Sequence, residues 1–409
     1  MTWLRYGYVA GPLIGALWTL VMVIVVCIVM SFSTGQAVAP SVLSALILGA
    51  WLGFVWLPDG GRPNAQRIAW SAGLIILPVA AFLLFNPAIV GTSTTSLTTL
   101  AIAWIMLAVV AALPLHKMLD GLPFGQTNRH EFEASVIRFL TGFGYVFFTA
   151  IVVIPFYVMV MTSLKSQQEL LLNPLDFSID LSKGMGLFRS YFELFADFNF
   201  GTYLWTSFLV SVLTVFITLL FAVPGAYAVA RLRFKGRAAF SRSILLIYMV
   251  PMIVLALPIY IAFSMTGLRN SLFGIVLIYP VTTIPVALYM LQGYFRGLPV
   301  EIEEAGLMDG LSRLAVIRKI TLPLSLPALA SVSLYVFMIA WNEFLLAFML
   351  LDDPSKFTLT RGVAMLNSSE IPRQHLMAGS VIATVPIMVL FLGLERFMTK
   401  GLTAGSVKG

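Results

Sequence analysis

The chain has 409 residues, 59% of them hydrophobic and only 11% charged, with a mean hydropathy of +0.96 and a net charge of +7. A soluble core of this size could not hide so much apolar surface, and several stretches exceed the roughly 20 residues that cross a bilayer as a helix. The composition therefore excludes a soluble globular protein. It predicts an all-α, polytopic membrane helix bundle, because a span in lipid must satisfy its own backbone hydrogen bonds.

Cysteine and histidine are scarce. Cys27 is the one cysteine, which excludes an intrachain disulfide framework, and the three histidines are scattered singly. No spacing typical of metal ligands appears, so the sequence predicts no metal site. The positive charge requires no nucleic acid, because juxtamembrane cations such as the run "RLRFKGR" at 231–237 anchor a chain at anionic lipid headgroups.

About ten apolar stretches follow one another along the chain. The first is too long for the apolar region of a secretory signal and is predicted to be a retained span. Hydropathy places the spans at 8–32, 38–57, 69–86, 96–115, 138–163, 203–230, 240–264, 271–294, 322–350 and 376–399. With the N-terminus in the cytoplasm, 18 of the 25 lysines and arginines lie on the inner side and 7 on the outer side. This asymmetry predicts that both termini are cytoplasmic.

The spans group into two blocks. Residues 116–137 are polar and contain proline and glycine, so they form a candidate cytoplasmic linker. They separate a four-span N-terminal extension, 1–115, from a six-span core, 138–399, and a short tail, 400–409, follows. The extension carries almost no charge within its spans, which favours an accessory bundle facing lipid or a partner. The outer loop 164–202 mixes aromatic and charged residues and is expected to include a short amphipathic segment.

One polar stretch interrupts the core on its cytoplasmic side, at 296–323. Pro299 suits the first turn of a helix, and three glutamates crowd the helix N-terminus, where the macrodipole favours negative charge. Asp309-Gly310 predicts a stop and a turn, and Ser312 is a candidate N-cap of a second helix that Pro323 ends. The stretch therefore predicts a helix–turn–helix along the membrane surface. Its adjacent small residues, Ala305 and Gly306, would allow a close approach to the backbone.

These residues resemble a known family. The stretch "EEAGLMDGLSRLAVIRKITLPLSLPAL" is similar to the cytoplasmic coupling loop of binding-protein-dependent ABC importer permeases, with Gly306 where the family has alanine. The segments "WNEFLLA" at 341–347 and "RFMTKGLTAGSVKG" at 396–409 narrow the resemblance to carbohydrate permeases, among them the maltose permease G subunits and their α-glucoside relatives. The resemblance covers roughly 138–409.

The resemblance implies how this chain would work. It implies a type I ABC importer permease in the bacterial inner membrane, with alternating access driven through a coupling helix seated in a separate ATPase. The partners implied are a second permease subunit, two copies of the ATPase and an extracytoplasmic sugar-binding protein, which the outer loop 351–375 would approach. The residues that it assigns to the ATPase contact are Glu304, Ala305, Gly306, Asp309 and Gly310.

The C-terminal tail also has an implied role. The resemblance places Gly405, Ser406 and Lys408 at the interface between the two ATPase subunits. The glycines do not follow the spacing of a phosphate-binding loop, and no strand precedes them. The chain is therefore expected to bind no cofactor and to hydrolyse no ATP, with ATP and magnesium held by the partner ATPase.

Few polar residues in the spans offer a path for sugar. Glu343 is the acid placed within an apolar span, and an intramembrane carboxylate is a functional candidate by default. Asn342, Tyr279 and Tyr289 add an amide and hydroxyls. For Glu343 the alternative is a packed or capping residue near the outer interface, and for the others it is hydrogen bonding between helices.

Two other classes of protein remain open. A cation-coupled secondary transporter would show more ionisable residues within its spans and two comparable halves. An integral membrane enzyme would need acids or histidines clustered at one membrane face, and the one cluster, at 296–323, has the spacing of a docking element.

Overall fold

The computed structural model describes residues 5–57, 87–92, 95–174 and 176–403, and most of these residues are helical. They form two compact units, Met1–Gly184 and Met185–Gly409. The boundary coincides with a kink in the 3-10 segment Leu181–Phe188, where Gly184 has a φ of +50°. The division into extension, linker and core stays a prediction. The two compact units show how the chain packs, and they do not show where one functional part ends and the next begins.

The first unit is a helical bundle with one small two-stranded antiparallel sheet. Its elements are α1 (Gly7–Thr34), β1 (Val38–Pro40), α2 (Val42–Val55), β2 (Ile89–Gly91), α3 (Leu97–Leu119), α4 (Arg129–Ser163) and α5 (Gln167–Leu172). Trp18 of α1 donates from Nε1 to the carbonyl of Ala111 in α3, at 3.1 Å. The hydroxyl of Tyr157 in α4 donates to the carbonyl of Phe32 in α1, at 3.1 Å. Helix α1 is thus the central element of this unit.

Helices α1 and α2 cross with their backbones in contact, because each contributes two glycines four residues apart. A Cβ atom on Gly15 would lie 2.2 Å from the carbonyl oxygen of Gly49, and one on Gly53 would lie 2.1 Å from that of Gly11. Small residues at this spacing allow membrane helices to approach closely and gain van der Waals contact. No sequence pattern had predicted this crossing.

This crossing gives a stability prediction. Replacing Gly15 with alanine is expected to destabilise the protein by about 1–3 kcal/mol, because the added methyl group forces the helices apart. The measurement is the thermal midpoint of the detergent-solubilised protein.

Gly144 of α4 provides the matched control, since a Cβ atom there meets nothing within 4 Å. Gly144→Ala should leave the midpoint unchanged or raise it, because alanine favours a helix over glycine by about 1 kcal/mol. Equal midpoints for the two variants would show that the crossing is not close-packed in the membrane protein.

The second unit contains the remaining helices. They are α6 (Arg189–Asp197), α7 (Phe200–Arg231), α8 (Arg237–Tyr248), α9 (Met252–Met265), α10 (Leu272–Gly297), α11 (Val300–Met308), α12 (Arg313–Val316), α13 (Leu322–Leu324), α14 (Leu326–Asn342), α15 (Leu345–Leu350), α16 (Leu359–Met365) and α17 (Arg373–Thr403). A π-helical turn, Ile317–Thr321, joins α12 to α13, and Pro354–Lys356 forms a 3-10 turn. Helix α7 packs along α10 and α14, and α14 packs along α17.

The prediction of an all-α membrane bundle is confirmed. Among the described residues six helices are long and apolar enough to cross a membrane, and a seventh span results if Arg313–Leu324 and Leu326–Asn342, which meet at 77°, count as one. Helix α2 is shorter than the predicted span 38–57. The predicted span 240–264 is divided into α8 and α9 at Pro251, which has no N–H to continue a helix. The predicted span 69–86 lies outside the described residues.

The amphipathic segment expected in the outer loop 164–202 is present as α6. Leu194 is fully buried, whereas Arg189 on the same helix is exposed and pairs with Glu193 at 2.7 Å. The Arg189 guanidinium lowers the pKa of the Glu193 carboxyl, and His375 Nε2 lies 2.7 Å from the same carboxylate. Helix α6 is therefore fixed to the start of α17 by a polar contact.

Candidate functional site

The polar stretch 296–323 folds as the predicted helix–turn–helix. Helix α11 ends at Met308, Asp309 follows as its C-cap, and Gly310 adopts a φ of +81°. The N–H of Leu311 donates to the carbonyl of Gly306 at 3.1 Å, which is the bond that closes a helix end through a left-handed residue. Ser312 then caps α12 by accepting from the N–H of Ala315 at 3.3 Å. The turn is therefore fixed by its own backbone and cap hydrogen bonds.

The end of the second helix differs from the prediction. Pro323 does not end it: the chain continues through α13, and the bend into α14 comes at Ser325. The π-helical turn explains the difference, because the N–H of Leu322 donates five residues back to Ile317, so the hydrogen-bond register has already changed where the proline has no N–H. Pro299 also differs, since it precedes α11 as its N-cap residue.

Helix α11 has an exposed face and a buried face. Glu304, Ala305 and Asp309 are exposed, as is Met308, whose side chain is 87% accessible. Gly306 is buried, and a Cβ atom on it would lie 2.6 Å from Cδ1 of Ile320. The glycine at this position therefore serves the packing of the loop against itself. Its predicted contact with an ATPase stays a prediction.

A buried ion pair lies beneath α11. Glu303 Oε1 is 3.4 Å from Nε of Arg231, and these side chains are only 9% and 7% exposed. Arg231 belongs to the basic run that the sequence analysis assigned to lipid headgroups, whereas Arg233 in the same run is exposed. No local sequence pattern predicts this pair, because its members lie 72 positions apart and on different helices.

Glu343 lies between α14 and α15, where the helix is interrupted. It follows α14, and its carboxylate accepts from the N–H of Leu346 at 2.8 Å and from that of Ala347 at 3.1 Å. These are first-turn donors of α15, which have no partner within a helix. The hydroxyl of Thr360 donates to the Glu343 carbonyl at 2.7 Å. The geometry favours the capping alternative over a sugar contact.

The other candidates for a sugar path are dispersed. Tyr279 is fully buried, and its hydroxyl interacts with the Glu343 carboxylate. Tyr289 is ten residues further along α10, about 15 Å away at the rise of a helix, and is 56% exposed. Asn342 is exposed and donates to the carbonyl of Met338 in its own helix. The structure thus brings together Tyr279 and Glu343 alone.

Other polar side chains of the second unit form hydrogen bonds between helices, which was the alternative to a sugar path. Thr218 of α7 and Thr283 of α10 are both fully buried, and their hydroxyls are 2.6 Å apart. Such pairs hold membrane helices together. Of the predicted tail residues, Gly405, Ser406 and Lys408 lie outside the described residues.

Long apolar helices, interrupted by one polar helix–turn–helix, define a polytopic membrane protein. Residues 222–403 match the family model for the binding-protein-dependent transport system inner membrane component. The inner membrane ABC transporter permease YcjP of Escherichia coli K12 is 37% identical over 270 residues, which are 65% of this chain and 95% of that protein. The chain belongs to this family. It is a multi-pass membrane protein and a permease subunit of an ABC importer.

Two further similarities agree with this assignment. The trehalose/maltose transport system permease MalG of Thermococcus litoralis is 32% identical, over 68% of this chain and 99% of its own. The diacetylchitobiose uptake permease DasC of Streptomyces coelicolor is 34% identical, over 63% of this chain and 92% of its own. A solved bacterial ABC transporter involved in alginate import matches 66% of this chain and 98% of its own, with a TM-score of 0.55 and 22% identity. At 22% identity, this match is evidence for the fold alone.

Proposed function

We propose that this chain is a sugar permease subunit whose α11 docks on a cytoplasmic ATPase. The observation that carries the proposal is the helix–turn–helix at 296–323, which holds Glu304 and Ala305 exposed while Glu303 and Gly306 are buried against the chain itself. A rigid element of this kind can transmit a rigid-body movement through a small interface. The ATPase would contact Glu304, Ala305, Asp309 and Gly310, and the predicted Gly306 would support this face from the buried side of α11.

The assembly would contain four further subunits. These are a second permease, two copies of the ATPase, which would hold ATP and magnesium, and an extracytoplasmic sugar-binding protein. This chain would bind no cofactor and carry out no hydrolysis. Both of its termini would be cytoplasmic, which the excess of lysine and arginine on that side supports.

The transported substrate would be maltose, a maltodextrin or another α-glucoside. The names of the relatives support an oligosaccharide, since they include trehalose and maltose, diacetylchitobiose and arabinooligosaccharides. Cation coupling receives no support. Glu343, the acid that could have served it, directs both carboxylate oxygens at backbone N–H groups.

Glu304→Arg tests the docking contact. We expect the variant complex to assemble in the membrane and to lose more than about tenfold of its ATPase stimulation by binding protein and maltose, because reversing a charge at an interface leaves the opposing group unpaired. The measurement is ATP hydrolysis by the complex in proteoliposomes.

Glu133→Arg is the matched control. Glu133 is an exposed glutamate of α4, on the predicted cytoplasmic side, and it pairs with Arg129 of the same helix at 2.6 Å. This variant should be stimulated like the wild type. Normal stimulation of Glu304→Arg, or a wild-type chain with which no ATPase co-purifies, would refute the docking assignment.

A further inference from the structure

The Glu303 carboxylate joins three segments of the second unit. It forms an ion pair with Arg231, whose Nε lies 3.4 Å away without a hydrogen bond, and it accepts from the Tyr227 hydroxyl at 3.2 Å and from the Thr321 hydroxyl at 3.0 Å. Arg231 in turn donates from a terminal nitrogen to the carbonyl of Leu298 at 2.6 Å. The end of α7, the start of α11 and the π-helical turn after α12 therefore meet at one buried carboxylate.

Burial is what sets Glu303 apart from its neighbours. Glu301 and Glu304 are exposed on the same helix, whereas Glu303 and Thr321 are buried and Tyr227 is 3% accessible. Taking an ion pair out of water costs about as much as the attraction returns, so a buried pair is weak evidence for stability. The hydrogen bonds from Tyr227 and Thr321 to Glu303 are directional, so together with the ion pair they restrict the position and the rotation of α11.

The residues around Glu303 lie where a movement of α11 would be passed on to the membrane helices. Arg231 is the last residue of α7, and α7 packs along α10 and α14. The direct chain connection from α10 to α11 passes through Leu298 and Pro299, which have extended backbone ψ angles of 142° and 126°. A two-residue extended link transmits rotation poorly, whereas the Glu303–Arg231 pair holds α11 to α7 by side chains.

We propose that Glu303 and Arg231 are a positioning pair that transmits the movement of α11 to α7. This inference rests on the proposed docking of α11 on an ATPase. The pair would act without contacting nucleotide or sugar. Its effect is on how much sugar is moved for each ATP hydrolysed, since a loosely held α11 can follow the ATPase without moving α7.

The test compares Glu303→Gln, Arg231→Gln and the double variant in proteoliposomes, with the binding protein, ATP and radiolabelled maltose. We expect maltose uptake per ATP hydrolysed to fall about fivefold or more in each single variant, the lower end of typical coupling between sites. The double variant should recover part of the loss, because it leaves no buried charge unpaired and keeps amide hydrogen bonds to Tyr227 and Thr321. Arg233→Gln, an exposed arginine two residues away, should match the wild type.

The ratio of uptake to hydrolysis separates positioning from folding. Misfolded complexes lose both activities together and leave the ratio unchanged, so a variant with fewer active complexes but a normal ratio would overturn the proposal. Hydrogen exchange of the α11 amides in the same complexes gives a second measurement, expected to be faster in the single variants than in Arg233→Gln.

The experiment distinguishes failure of the positioning role from failure of the docking proposal. If the wild type couples uptake to ATP and Glu303→Gln does so equally well, with unchanged exchange, only the positioning role is wrong. Loss of all three variants from the membrane would assign the cluster to folding and would also overturn that role. If the wild type shows no ATP-driven uptake, the docking proposal fails and the positioning role fails with it.

Discussion

Replacing Gly310 with proline is expected to abolish sugar-stimulated ATP hydrolysis by the assembled complex. Gly310 has a φ of +81°, whereas a proline ring holds φ near −65°, so the turn after α11 cannot form. Its N–H also donates to the carbonyl of Leu307 at 3.1 Å, a bond that proline removes. The exposed face of α11 would then lose its fixed direction. The measurement is the stimulated hydrolysis rate, compared with the amount of complex in the membrane.

A graded series at the same position provides the control. Asparagine tolerates the left-handed conformation and should keep most of the stimulation, whereas alanine, at a cost of roughly 1–2 kcal/mol, should give an intermediate rate. A Cβ atom at Gly310 meets nothing within 4 Å, so the series varies backbone conformation without a steric clash. Stimulation that is equal in the asparagine and proline variants would show that the turn does not control docking.

The helix–turn–helix was predictable because its signals are local. A glycine after an aspartate, a serine N-cap and acids at a helix N-terminus each act within a few residues, so they appear in the sequence as short patterns. The structure confirms the stop at Asp309-Gly310 and the cap at Ser312. Six of the ten predicted spans are present as single long helices among the described residues, since hydropathy over about 20 residues reports burial in lipid directly.

The features that the sequence did not reveal depend on contacts between distant segments. Arg231 looked like its exposed neighbours in a basic run, and only the fold brings it to Glu303. A proline such as Pro323 usually ends a helix, but the π-helical turn before it allows the helix to continue. The close crossing of α1 and α2 depends on two glycine pairs that face each other only after folding.

Replacing Glu343 with leucine is expected to destabilise the protein without changing its apparent affinity for sugar. Leu346 and Ala347 are fully buried, and leucine would leave both of their N–H groups without an acceptor. Each buried donor left unpaired costs about 1–3 kcal/mol. The thermal midpoint of the solubilised protein should therefore fall, and the surviving complexes should keep the KM of the wild type for binding-protein-delivered maltose.

Two further variants separate capping from contact with sugar. Asn342→Leu makes the same substitution one residue earlier, at an exposed side chain that bonds within its own helix, and it should leave the midpoint unchanged. Glu343→Gln keeps one oxygen that can accept from Leu346 or Ala347, so it leaves one N–H group unpaired where leucine leaves both. Its midpoint should fall less than that of Glu343→Leu, and transport should be retained. If Glu343→Gln instead keeps the wild-type midpoint and loses maltose uptake, the carboxylate acts on the transport path, since the cap would be intact while the charge is gone.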